Sequence, residues 1–243
     1  MRIDFHAHVL PRADHGCSHS AMSYHQLMIM KRAGTDAVVA TPHFYPNHDS
    51  VESFLDRRDG SLSAMSHRLP LGELPIVYVG AEVLVCVGMD EMPSLERLTV
   101  AGTKVILLEM PYTLWSDELI ATVRGVSARG LTPVLAHIDR YPRGAVERLL
   151  AETKALAQVN ADAFGFFRRT RWLRAYMEEG RVVAFGSDLH GDKPRDYKRF
   201  LKMQKRLGSL ADTVFARTEK LLEGAIPLTA HTAPTQTPAD IST

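Results

Sequence analysis

The chain opens MRIDFHAHVLPRADHG, which places His6, His8 and His15 within its first sixteen residues. Imidazoles so close together are costly to bury unless something binds them, and the other polar residues at comparable places decide whether that is a metal ion. His43 ends the run VVATPH, Glu82 follows YVGA, Glu109 ends VILLE, His137 ends VLAH, and Asp188 and His190 close AFGSDLH. A single His or Glu at the end of an apolar run is ordinarily a hydrogen-bonded core residue. Two pairs spaced two apart, with His or Glu recurring at the ends of other runs, point instead to a metal centre. Nitrogen and carboxylate donors suit zinc, manganese or iron, whereas a thiolate site would need cysteines that are not placed among them.

The elements that must position these residues follow from periodicity. Short apolar runs rich in β-branched residues recur as RIDFHAHV, DAVVATPH, IVYVGAEVLV, KVILLEMP, TPVLAHID, LAQVNA and RVVAFGSDLH. Between them lie segments with helical periodicity at roughly 20–34, 50–68, 116–130, 144–156, 168–180 and 194–222. Strands joined by helical crossovers are parallel, and seven of them without a glycine-rich phosphate loop favour a β/α barrel over an open doubly wound sheet. Barrels build their sites at the C-terminal ends of the strands, where His43, Glu82, Glu109, His137, Asp188 and His190 fall. In an extended strand alternate side chains share a face, so DFHAHV is expected to turn Asp4, His6 and His8 inward and Phe5, Ala7 and Val9 outward.

Composition narrows the function classes. Twenty-nine basic against twenty-eight acidic residues leave a formal charge of +1, so no global field attracts nucleic acid or an acidic membrane surface. With only Cys17 and Cys86, no disulfide framework is expected, and no apolar run is long enough to span a bilayer. The start shows no cationic stretch leading into an apolar core, and a cytoplasmic protein is expected. Residues 1–224 read as one catalytic domain, and 225–243, AIPLTAHTAPTQTPADIST, as a flexible tail. His19, His25, His48, His67 and His231 fall in helical or loop segments and are assigned to the surface.

The ordered set HAH, ATPH, GAE, LLE, AHIDRY and SDLH resembles the PHP (polymerase and histidinol phosphatase) superfamily of metal-dependent phosphoesterases. Within it, the chain is most similar to the bacterial CpsB/CapC branch of tyrosine-protein phosphatases linked to capsule and exopolysaccharide synthesis, from residue 1 to about 220. The resemblance implies a distorted seven-stranded β/α barrel with two or three divalent metal ions, manganese foremost and zinc or iron as alternatives. It implies that His6, His8, Glu82 and Asp188 hold one ion, and that Glu82 bridges to a second held by Glu109 and His137. A third falls to His15, His43 and His190. The branch commonly reads Asp-Asp-Gly-Pro where this chain has Asp14-His15-Gly16-Cys17, so His15 replaces a carboxylate, with Asp14 as the alternative donor. The implied substrate is a phosphotyrosine-containing protein, a bacterial tyrosine kinase of capsule or exopolysaccharide biosynthesis.

Arg140, in AHIDRY, suits a phosphate-contacting role because its planar fork can bind two oxygens. Lys193 or Arg195 could add a second positive charge. A thiol phosphatase would need an arginine six residues after its nucleophile, but those positions hold Ser23 and Met92, so both cysteines are assigned to packing. The basic, aromatic stretch FFRRTRW is read as a helix start with a solvated face. Three other readings stand beside the main one: a small-molecule phosphatase such as one acting on histidinol phosphate, a barrel amidohydrolase, and a metal-binding barrel retained for regulation.

Overall fold

A computed structural model describes residues 1–164 and 170–228. The first four residues of the FFRRTRW stretch and everything past residue 228, including His231, lie outside the described residues. The strands are β1 (Ile3–Ala7), β2 (Ala37–Ala40), β3 (His43–Phe44), β4 (Ile76–Val79), β5 (Glu82–Leu84), β6 (Val105–Glu109), β7 (Thr132–Leu135), β8 (Leu156–Asn160) and β9 (Val182–Gly186). The helices are α1 (Ser20–Arg32), α2 (Val51–Arg68), α3 (Asp117–Ala128), α4 (Arg143–Glu152), α5 (Arg171–Glu178), α6 (Pro194–Leu207) and α7 (Ser209–Leu221). Side-chain caps start several of them: Ser50 accepts from the Ser53 N–H ahead of α2, and Ser116 from the Leu119 N–H ahead of α3.

All strand pairings among the described residues are parallel, in the orders β1-β2-β4 and β3-β5-β6-β7-β8-β9. The two sheets arise because two of the expected strands are interrupted. Thr41-Pro42 separates β2 from β3, where proline offers no N–H to the ladder, and Gly80-Ala81 separates β4 from β5. The halves stay side by side across the breaks, with the Gly80 N–H donating to Ala40 O at 2.9 Å and the Glu82 N–H to Pro42 O at 3.0 Å. Counted as single interrupted strands, they give the expected seven in ring order. At the remaining seam a bridge joins Ala7 to Leu189, and the Asp188 N–H donates to His6 O at 2.8 Å. The architecture is the expected mixed α/β, distorted barrel, with no helix among the described residues long and apolar enough to cross a membrane.

Two clusters make up the core. One takes Ile3, Phe5, Ala37, Val39, Leu107, Val134 and Ala136 with almost no helix residues, and fills the space between the strands. The other packs the opposite strand faces, including Ala7, Val9, Val38 and Ala40, against Leu27 and Met30 of α1 and Val123 of α3.

This division corrects the expected phase of β1. Ile3 and Phe5 lie in the inner cluster but Ala7 and Val9 in the outer one, because the register with β2 shifts between Asp4 and Ala7. A bulge adds one residue and reverses the alternation beyond it. Asp4 therefore pairs with Val38 on the helix side, its carboxylate accepting from the backbone N–H of Ser187 at 2.8 Å and of His6 at 3.4 Å.

The expected helix over 194–222 is two helices. Gly208, at φ 57° and ψ −131°, occupies a conformation open to glycine, and the chain restarts at Ser209. The packed chain also runs slightly past the expected domain end: the Ile226 N–H donates to Ala101 O at 2.8 Å, and Leu228 is buried.

Gly186 closes β9 at a point of close approach, where an added Cβ would lie 2.6 Å from both His6 Cβ and Gln158 Nε2. Gly186→Ala is expected to destabilise the fold by about 1–3 kcal/mol, read as a lower urea midpoint with an unchanged slope.

Candidate metal centre

Six strands and their exits deliver the donors to one end of the barrel. His6 and His8 come from β1 and its exit, His43 opens β3, Glu82 opens β5, Glu109 ends β6, and His137 and Asp188 sit just beyond β7 and β9. His137 at φ 32° and Asp188 at φ 50° both adopt the left-handed conformation, which turns their side chains back over the strand ends. Such strain costs roughly 1–3 kcal/mol per residue and persists only where surrounding bonds hold it. Here the His137 N–H donates to Gln158 Oε1 at 2.6 Å and the Asp188 N–H to His6 O.

Glu82 is the centre of the group. Its Oε2 lies 3.1 Å from His6 Nε2, 3.4 Å from His8 Nε2 and 3.0 Å from His43 Nδ1, while Oε1 lies 3.0 Å from His137 Nε2. Glu109 approaches His137 Nε2 at 3.6 Å and His43 Nδ1 at 4.0 Å. Asp188 Oδ1 lies 3.6 Å from His6 Nε2, and 3.3 Å from both His8 Nε2 and His190 Nδ1. Three triplets bring their donor atoms within 4.8 Å of one another: His6, His8 and Asp188; His43, Glu82 and Glu109; and His8, His43 and His190.

The direction of the lone pairs tests whether a cation fits. Gln158 is oriented by two bonds, its Oε1 accepting from the His137 N–H and its Nε2 donating to Asn160 Oδ1 at 2.9 Å. That same Oε1 faces His6 Nδ1 at 3.3 Å, so this nitrogen carries the proton of the neutral ring. His8 Nδ1 faces Asp14 Oδ2 at 2.6 Å and is protonated for the same reason. Both Nε2 atoms are then bare. They face each other across 3.2 Å and point at the carboxylates of Glu82 and Asp188. Glu82 Oε2, His43 Nδ1, His137 Nδ1 and His190 Nε2 are buried with no hydrogen-bond partner. Converging acceptors repel unless protons or cations lie between them, and a divalent ion satisfies several at once.

The charges within the cluster say the same. Burial works against the imidazolium of His6, but Glu82 and Asp188 outweigh it and raise its pKa. His8 is raised further, against burial, by Asp14, Asp188 and Glu82. Glu82 is held well below the ordinary carboxylate range, despite burial, by His6, His137 and His43. Glu109 is pushed up to about 7 by burial and by the neighbouring Glu82. Extra protons thus take the place that cations would fill, and metal binding would release them.

An outer layer, largely invisible in the sequence, fixes the donors. Asp14 Oδ2 takes both His8 Nδ1–H and the His43 N–H at 3.0 Å, and its Oδ1 takes the Gly16 N–H at 2.8 Å. With both oxygens engaged, Asp14 holds His8 rather than standing free as a donor. Gln158 and Asn160 continue the network, Asn160 Nδ2 donating to Asp188 Oδ2 at 3.3 Å. Their spacing of two within the apolar strand LAQVN was the available signal, since two amides on one buried strand face need partners.

The predicted residues sort cleanly. His6, His8, His43, Glu82, Glu109, His137, Asp188 and His190 come together. His15 is the departure: its exposed ring stacks on His43 at 5.0 Å and lies 4.7 Å from His190, and His8 completes the close triplet of donors there. Arg140, 38% exposed at the mouth, pairs with Asp188 Oδ2. Lys193 is exposed, and the Arg195 side chain lies outside the described residues. His25 pairs with Asp192 on the surface, His19 caps α1, and His48 and His67 are exposed. Both cysteines are free, Cys17 buried and Cys86 partly so.

Comparisons with known proteins agree with this geometry. The CpsB/CapC family, described as capsular polysaccharide synthesis, matches residues 2–217. Tyrosine-protein phosphatase CpsB of Streptococcus agalactiae serotype V is 26% identical over 207 residues, covering 77% of this chain and 82% of that protein. A structure from the pair YwqE of Bacillus subtilis and CpsB of Streptococcus pneumoniae, termed unique metal-dependent tyrosine phosphatases, superposes with a TM-score of 0.73. It is 26% identical, covering 92% of this chain and 95% of its own. Histidinol phosphate phosphatase of Lactococcus lactis, 10% identical with a TM-score of 0.57 over 85% of this chain and 94% of its own, shares the fold.

Asp14→Ala removes the carboxylate that orients His8. It is expected to lower divalent-metal affinity about 10–100-fold, measured by calorimetric titration of chelator-stripped protein with manganese or zinc.

Proposed function

Because the chain belongs to the CpsB/CapC family of capsular polysaccharide synthesis, we propose that it is a metal-dependent tyrosine-protein phosphatase of capsule or exopolysaccharide biosynthesis. Its substrate is a tyrosine-phosphorylated protein, a tyrosine kinase of that system, and its place is the cytoplasm. One observation carries the reading: bare imidazole nitrogens and carboxylate oxygens converge around Glu82 at the barrel mouth, in the manner of a multi-metal phosphoesterase.

His6, His8, Glu82 and Asp188 would hold one ion, Glu82, Glu109 and His137 a second, and His43 and His190 a third with His15 at its open side. Manganese is the physiological ion in this reading. Such ions, when bound, supply Lewis-acid activation of water and of phosphoryl oxygens.

The chain's own residues do the rest. Gln158, Asn160 and Asp14 keep the donors aimed, so no reorganisation is needed when substrate arrives. Arg140 keeps its charge, since Asp188 and the Tyr112 hydroxyl offset its burial. Anchored on Asp188 and open to the mouth, its guanidinium is placed to take phosphate oxygens and steady the charge that grows on them. The departing phenolate belongs to a group with a pKa of about 10, so a strong general acid is dispensable.

Chelator-stripped protein is expected to release no phosphate from a phosphotyrosyl peptide and to recover on adding manganese. Preference for histidinol phosphate over the peptide would move the chain to small-molecule chemistry, and no release from either would discard the phosphatase reading. His137→Ala is expected to abolish metal-restored turnover while circular dichroism shows the fold retained. Arg140→Ala should lower kcat on the peptide about 10²-fold or more, measured by phosphate release at saturating metal.

A further inference from the structure

Exposed apolar side chains gather on three neighbouring loops beside the metal centre. Tyr45 follows β3, Val87 follows β5, and Tyr112 and Leu114 follow β6, and these strands lie next to one another in that order. Leu114 is 96% exposed, Tyr112 69% and Val87 62%. The other large exposed apolar residues among those described, Met1, Ile76 and Ile226, lie away from these loops, the first two at the opposite ends of strands.

None of these loops is held loosely. Tyr141 Oη bonds both the N–H and the O of Met110, each at 3.0 Å, and Trp115 Nε1–H donates to Pro111 O at 3.0 Å. Tyr112 and Leu114 are thus held outward between two anchored points. The turn at Val87 is fixed by the Gly88 N–H to Thr122 Oγ1 at 3.2 Å, and that at Tyr45 by the His48 and Asp49 N–H groups on Tyr45 O. Rigid, exposed apolar groups beside a reactive centre are what a docking surface presents, because little freedom is lost on binding.

The arc also connects directly to the chemistry. The Tyr45 ring lies 5.4 Å from the His43 ring at 16°, nearly parallel. Tyr112 sits 5.7 Å from Tyr141, whose ring is 5.5 Å from His137. A small phosphorylated metabolite held at the cluster would leave Leu114 uncovered, whereas a polypeptide would cover it. The long arm of a phosphotyrosine lets its phosphate reach the buried donors while its backbone stays at the rim.

We propose that Tyr45, Val87, Tyr112 and Leu114 dock the apolar segment flanking the phosphotyrosine of a substrate protein. The inference rests on the phosphatase reading and adds a preference for apolar flanking residues.

The test uses the metal-loaded full chain and its Val87→Ser, Leu114→Ser and double variants. Three substrates are compared: a phosphotyrosyl peptide with apolar flanks, the same peptide with glycine flanks, and p-nitrophenyl phosphate. The expected result is a fall of about tenfold in the ratio of kcat/KM for the apolar-flanked peptide to that for p-nitrophenyl phosphate, carried by KM. The corresponding ratio for the glycine-flanked peptide should move much less. Anisotropy of a labelled peptide carrying a phosphonate analogue of phosphotyrosine should weaken in parallel. An unmoved ratio in an active enzyme overturns the docking role alone. Absence of turnover on all three substrates overturns the phosphatase reading itself. Concentration-dependent dimers that Leu114→Ser dissolves, without any effect on peptide binding, would assign the arc to a second copy and equally overturn the proposal.

Discussion

Glu82 is buried with three imidazoles around one carboxylate oxygen and a fourth against the other. In a medium of low polarity, so many acceptors aimed at one point are mutually repulsive, and only intervening positive charge makes the arrangement stable. The features around it answer that constraint. The strands converge to bring the donors together, the amide and carboxylate network sets which imidazole nitrogen is bare, and left-handed turns at His137 and Asp188 complete the ring.

The second layer turns an approximate cluster into a defined one. Gln158 touches both His6 and the His137 backbone, so two strands are registered through one side chain. Asp14 does the same for His8 and the His43 backbone. Through Asn160 the network reaches Asp188, and through Asp188 it reaches Arg140 at the mouth. The guanidinium at the mouth is thereby coupled to the buried cluster of imidazoles and carboxylates. A charge change at the cluster is felt at Arg140 through Asp188, which is also why the guanidinium stays in place.

Around this polar centre the rim is apolar and firmly held. Polar groups at the floor with aromatic side chains at the edge are an arrangement common in ligand sites. Toward the other end of the strands Ile3, Phe5 and Val105 pack in one cluster with Leu222, which follows α7.

Much of this was legible in the sequence. Seven apolar runs, their order and the helices between them follow from periodicity, because strand and helix periods are local properties. The donor types are legible as well, since two pairs spaced two apart, with His or Glu recurring at the ends of other runs, are not accounted for by separate core residues. What the sequence could not decide is long-range. The bulge after Asp4 depends on pairing with β2 and sends that carboxylate to the helix side. The break at Gly208 depends on a backbone angle that glycine permits but does not require. Asp14 and His15, adjacent in the chain, are told apart only by the folded loop, which sets Asp14 against His8 and stacks His15 on His43. Gln158 and Asn160 read as ordinary strand residues until packing places them beside His6 and Asp188. Residue type determined which groups could bind a cation, and tertiary contact decided which lone pairs face it, because direction is a property of neighbours brought from elsewhere in the chain.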